Sequence, residues 1–182
     1  MEPTAMPEQL RPGDPAPLLR LQPVFGLPLT IGEPGPPSIL VFLRGLGSPS
    51  TRKMLGEIQD RHQDLDGIQV VQFTPSPLEP ARDYVPRHHM LHPLVVDPTG
   101  EHYRTYGVGR DRGFVRTLLD LPGLATMPGR LSFGLGAHHP PFDQLPGAFV
   151  VDREGRLRYC WIGRSIWNLP DLDVLIAAAQ GQ

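Results

Sequence analysis

The side chains able to do covalent or acid–base chemistry in this chain are few. A single cysteine is present, Cys160, in the run Tyr159-Cys160-Trp161. One cysteine cannot form an intramolecular disulfide, a C-x-x-C redox pair or a multi-cysteine zinc site. Between two aromatics in an alternating segment it reads as a small buried hydrophobe. One-cysteine redox chemistry is the sharper alternative, although a mid-strand thiol lacks the helix end that would activate it. Hydroxyls cluster in Ser48-Pro49-Ser50-Thr51. There Ser48 suits a helix N-cap and Pro49 the first helical position. The plain account of Ser48 is a cap worth about 1 kcal/mol. The functional account is an anion pocket made by Ser48, its neighbouring amides and the positive helix end. Arg44 and Arg164 could make the mouth of that pocket electropositive, and two ordinary surface arginines are the plainer account. The histidines fall as His88, His89 and His92, then His138 and His139. On one helix His88 and His92 would share a face, as zinc ligands can. Pro93 stops such a helix, no H-E-x-x-H pattern occurs, and a helix C-terminus favours histidine by itself. Solvated histidines are expected, with no metal and no cofactor. Trp161 and Trp167 are read as covers for the core.

Composition bounds the partners. The 182 residues correspond to one domain at roughly 150 residues each, enough to fold without disulfide staples. Glycine and proline, at 20 and 23 residues, are about twice their usual combined share. The apolar fraction of 40% and net charge of −2 still indicate a globular chain with many turns. All basic residues but Lys53 are arginine, and they are scattered and balanced by 19 acids. No face for tracking nucleic-acid phosphates is evident. No apolar run reaches the roughly 20 residues needed to cross a bilayer. The first 17 residues lack the pattern of a secretion signal. A soluble cytoplasmic protein is expected, binding neither nucleic acid nor membrane.

The elements that must position these residues follow from the apolar pattern. Residues 1–17 carry five prolines and read as a mobile proline-rich lead-in to one domain, 18–182. Two short apolar runs in 18–31, broken by Pro23, Gly26 and Pro28, suggest a hairpin or edge strands. The continuous runs at 39–43 and 68–73 read as strands buried on both faces. A helix is expected from Pro49 to about Asp64, a second over about 78–89, and a short strand at 94–96. One helical turn should follow through Tyr106. An insertion at about 109–145 weakens the pattern and should hold short helices around 115–119. Residues 145–162 form a β-hairpin about the turn Arg153-Glu154-Gly155, and 171–179 a closing helix. Parallel crossovers, then an antiparallel hairpin and a terminal helix, make a thioredoxin-like three-layer α/β sandwich with a mixed central sheet flanked by helices.

Three segments resemble the redoxins of the thioredoxin superfamily, specifically the peroxiredoxin-like AhpC/TSA family. Gly13-Asp14-Pro15-Ala16-Pro17 resembles the family's G-D-x-A-P. The stretch from Val41 to Thr51 resembles its strand-to-helix turn V-F-x-R-G-x-x-C-P-x-C. The stretch from Leu145 to Gly155 resembles its P-G/T-x-F-V-x-D-x-x-G hairpin. The resemblance implies an antioxidant-type oxidoreductase, with Arg44 as the turn's arginine and Pro146 as a cis proline beside it. Its redox cysteines, however, fall on Ser48 and Thr51. A cysteine at a helix start becomes a thiolate because the dipole and free amides lower its pKa from about 8.5. That thiolate cycles through sulfenic acid or a mixed disulfide, and a serine hydroxyl has no equivalent chemistry. A degenerate site is therefore expected at Arg44, Ser48, Pro49, Thr51 and Pro146, binding a small anion, a thiol or a protein or peptide ligand. The alternatives are redox chemistry through Cys160 or an external thiol, and a glutathione-transferase-like use of Ser48 as hydrogen-bond donor.

Overall fold

Strands and helices alternate along the chain, and the apolar runs decide which strands are central. A computed structural model describes residues 9–111 and 143–181. Strands β1 (Leu19–Leu21) and β2 (Leu29–Ile31) form a small antiparallel hairpin of their own. Strand β3 (Ser38–Phe42) is buried at every position and leads into helix α1 (Pro49–Asp60). Then come β4 (Gln69–Thr74), α2 (Leu78–Arg87), β5 (Leu94–Val96) and the short helix α3 (Glu101–Thr105). The hairpin β6 (Gly147–Val151) and β7 (Leu157–Ile162) precedes the closing helix α4 (Leu172–Gln180).

The main sheet runs β5-β4-β3-β6-β7. Strand β3 pairs in parallel with β4 and antiparallel with β6, so β3 and β6, each buried at every position, lie side by side inside the sheet. Side chains alternate between the faces of the sheet. Ile39 and Val41 meet Met54, Leu55 and Ile58 of α1 and Leu172 and Leu175 of α4. Leu40 and Phe42 turn the other way, toward Phe73, Tyr103, Tyr106 and Phe149 and the β1–β2 hairpin. Phe42 stacks on Phe73 at 4.4 Å between ring centroids. The result is the expected three-layer α/β sandwich with a mixed sheet.

Two details differ from the sequence expectation, and a third expectation falls largely outside the described residues. Helix α1 ends at Asp60 and a 3-10 turn, His62–Leu65, follows it. Residues 1–8 of the lead-in lie outside the described residues, but 9–17 are tied down. Gly13 N donates to Leu157 O at 2.7 Å and Ala16 N to Gly155 O at 2.9 Å. The start of edge strand β7 has free backbone groups, and the lead-in satisfies them. Of the insertion, residues 112–142 lie outside the described residues, including the helices expected near 115–119 and His138 and His139. At its two ends Arg110 and Gln144 form a bridge. No helix among the described residues is long and apolar enough to cross a membrane.

Candidate functional site

The chain leaves β3 into a turn, residues 44–47, that aims α1. Neighbouring parallel strands end at the same edge of the sheet, so the segment after β4 can hold the turn after β3. Thr74 Oγ1 donates to Arg44 O at 3.3 Å, and Leu46 N donates to Ser76 Oγ at 3.0 Å. Ser76 N closes the clamp by donating to Thr74 Oγ1 at 3.2 Å. Ser48 N donates to Gly45 O at 2.9 Å. Ser48 then takes the N-cap position with extended backbone, and Pro49 opens the helix.

The Ser48 side chain does not cap its own helix. Its Oγ accepts from Arg44 NH1 at 3.1 Å and lies 2.9 Å from Ser50 Oγ. Helix α4 shows the usual arrangement, with Asp171 accepting from Asp173 N at 2.9 Å and from Val174 N at 3.5 Å. At α1 the amides of Ser50 and Thr51 have no side-chain acceptor among the described residues. Thr51, one turn beyond Ser48, is 2% exposed, and its Oγ1 is buried with no hydrogen-bond partner there. A Cβ on a helix tilts toward the N-terminus, so Thr51 leans back toward the turn.

Arg44 is half-buried, and its NH1 also reaches Ile166 O at 3.5 Å. Burial lowers its pKa and the charge of Asp143 raises it, and a guanidinium in this range stays charged. Ile166 belongs to the loop between β7 and α4, where Trp167 is 67% exposed and Arg164 is also exposed. The strand register pairs Phe42 with Gly147 and so sets Pro146 beside the end of β3. Pro146 O accepts from Gly163 N at 2.9 Å. A Cβ on Gly163 would stand 2.8 Å from Pro146 Cγ, so only glycine fits this approach. The cis peptide implied for Pro146 is not found, because no described peptide bond is cis. Trans is the lower-energy form before proline.

The structure thus brings Arg44, Ser48, Pro49 and Thr51 together at one helix start with Pro146 nearby, and it leaves Cys160 apart. On β7, Tyr159 and Trp161 face the α1 side of the sheet, while Cys160 and Ile162 face the aromatic cluster on the other side. Burial, followed by the charge of Asp14, pushes the Cys160 thiol up to about 11. His88 and His89 are exposed, as expected, whereas His92 is half-buried. Helix α2 ends at Arg87, His88 stacks on Tyr84 at 3.9 Å, and His92 faces His62. Among the described residues no three metal-ligating side chains gather. Sequence reading missed Thr74, Ser76 and Ile166; the only available signal was that β3 and β4 would be parallel neighbours.

Residues 12–160 match the model of the AhpC/TSA family. No curated protein matches the chain. Among solved structures the chain is similar to a peroxiredoxin-like protein from Aquifex aeolicus, with TM-score 0.71 and 14% identity. That match covers 97% of this chain and 90% of the other. It is also similar to peroxidoxin BcpB from Mycobacterium tuberculosis, with TM-score 0.67, 17% identity and coverage of 95% and 98%. Peroxiredoxin Q from Xanthomonas campestris matches with TM-score 0.63 and 14% identity, covering 90% of each chain. At these identities the likeness speaks for the fold.

Proposed function

Because this chain belongs to the AhpC/TSA family yet carries serine and threonine where the family's redox cysteines stand, we propose that it is a binding module without thiol redox activity. In this reading the start of α1 still receives a small anion, either free or as a thiolate or carboxylate on a protein or peptide. One observation carries it: Ser48 turns its hydroxyl to Arg44 and leaves the first-turn amides of α1 uncapped. Free amides at a helix end attract negative charge. The charged Arg44 beside them adds to that attraction. Cys160 weighs against the antioxidant alternative. It lies on the other face of the sheet, and burial, which pushes its thiol up to about 11, keeps it protonated at pH 7.

A second use of Ser48 has one observation in its favour. Either hydroxyl can donate in the Ser48–Ser50 pair, so Ser48 can turn its proton toward a bound thiolate. Glutathione-dependent turnover of an electrophile, lost in Ser48→Ala, would favour this transferase-like role. The reading treats 18–182 as one domain with an insertion. It places the protein in the cytoplasm, where a lone cysteine is in keeping with reducing conditions.

The test is an NMR titration with inorganic phosphate, acetate and glutathione in turn. The amides of Ser50 and Thr51 are expected to shift saturably with at least one of them, about tenfold more weakly in Arg44→Met. Shifts that are absent for all three, or unchanged by Arg44→Met, refute the binding site.

A further inference from the structure

The loop that joins α2 to β5, residues 88–93, is laced down by two glutamines. Gln59 of α1 holds it twice, donating from Nε2 to His88 O at 2.9 Å and accepting from Leu91 N at 2.9 Å. Gln72 of β4 donates from Nε2 to His92 O at 3.2 Å. Both side chains are neutral and offset no charge. Within the loop, His89 has a φ of 47°, a left-handed conformation that costs a non-glycine residue energy. Release of the loop would relieve that strain.

His92 sits at the centre of this arrangement. Its Nε2 is buried with no hydrogen-bond partner among the described residues. Its ring faces that of His62, 6.3 Å away between centroids, from the 3-10 turn after α1. The charged groups in that turn are engaged elsewhere: Arg61 pairs with Asp64 and with Asp173 of α4. Burial first, and then His62, lowers the pKa of His92. A proton arriving there meets a buried position with no hydrogen bond in place and a second imidazole opposite; Gln72 Oε1, also buried, makes no bond to it.

We propose that residues 88–93 form an acid-released latch, docked while His92 is neutral and freed when His92 takes up a proton beside His62. The direction follows from linkage. A folded-state value below the ordinary 6.5 or so means that the folded form binds fewer protons than the open form. The docking energy is therefore fully present above about pH 6.5 and is lost as pH falls through the folded value. The latch is independent of the α1-start site and of what binds there.

Hydrogen exchange on the full chain at pH 7.5 and 5.5, corrected for the intrinsic rate, tests it. The amides of Met90 and Leu91, bonded to Val85 O and Gln59 Oε1, are expected to lose about tenfold in protection at pH 5.5. The β3 amides should keep theirs. His92→Gln should abolish the loss, and His62→Gln, at an exposed position, should reduce it. Unchanged protection at pH 5.5, or an equal loss in His92→Gln, overturns the latch. Should His92→Gln fail to fold, an NMR titration of His92 decides. Its midpoint must lie below the ordinary histidine value and rise in His62→Gln. A midpoint at or above that value, as if Gln72 Oε1 accepted the proton, overturns the proposal.

Discussion

At the start of α1 a helix end, uncapped amides and a charged Arg44 converge where no sulfur is present. On the opposite face of β7 a thiol is present, held among Phe149, Tyr106 and their neighbours, with neither helix end nor cation to ionise it. One region has the surroundings that make a thiolate and lacks the thiol; the other has the thiol and surroundings that keep it protonated. The difference shows that activation belongs to the position in the fold and reactivity to the residue type. Here the two lie apart: Ser48 and Thr51 stand at the helix start and Cys160 on β7. On the proposed reading, what remains at the helix start is attraction for negative charge.

The comparison breaks most decisively if thiols are put back where the fold would activate them. In Ser48→Cys with Thr51→Cys, the thiol at position 48 should have a pKa in the range of about 3.5–7.5 known for helix starts. Its thiolate fraction at pH 7 would then exceed that of Cys160 by about a thousandfold or more. Competitive alkylation with iodoacetamide, read by mass spectrometry, should modify position 48 first. A double variant that folds and whose new thiols react as slowly as Cys160 would show that the activating geometry is gone. The next effect concerns Cys160 alone. With its thiol pushed up to about 11, alkylation of the native protein should rise about tenfold per pH unit between pH 7 and 10. A plateau below pH 9 would mean the strand face activates sulfur after all.

The smallest effect contrasts two helix starts. Asp171 accepts from two amides of α4, so Asp171→Ala should cost about 1 kcal/mol in urea unfolding. Ser48 accepts from none in α1, so Ser48→Ala should cost clearly less. Equal losses would mean that Ser48 acts as an ordinary cap in solution and that the amides of Ser50 and Thr51 are not free.

Much of this arrangement was legible from residue order, for identifiable reasons. Five successive apolar residues at 39–43, partly β-branched and followed by a glycine turn, read as a strand covered on both faces, and β3 (Ser38–Phe42) is one. The Ser48-Pro49 pair marks a helix start whatever surrounds it. The direction of the Ser48 hydroxyl was not legible, because it depends on Arg44. Arg44 in turn depends on Thr74 and Ile166, which lie 30 and 122 residues away. The lead-in reads as mobile because it is polar and proline-rich; much of what holds it is backbone bonding to Gly155 and Leu157, which leaves no mark on side-chain pattern. Pro93 marked the limit of any helix carrying His88 and His92, and α2 stops earlier still, at Arg87; that His92 would be half-buried was not legible. His92 is then left to meet His62 from a separate element.

The central claim, that the retained fold no longer performs thiol redox chemistry, is tested most directly by turnover. Purified wild-type protein and Cys160→Ala would be compared for peroxide consumption and insulin disulfide reduction with dithiothreitol as the external thiol. Rates for both proteins equal to the protein-free background are the predicted result. Thiol-dependent turnover by the wild type, abolished by Cys160→Ala, would contradict it.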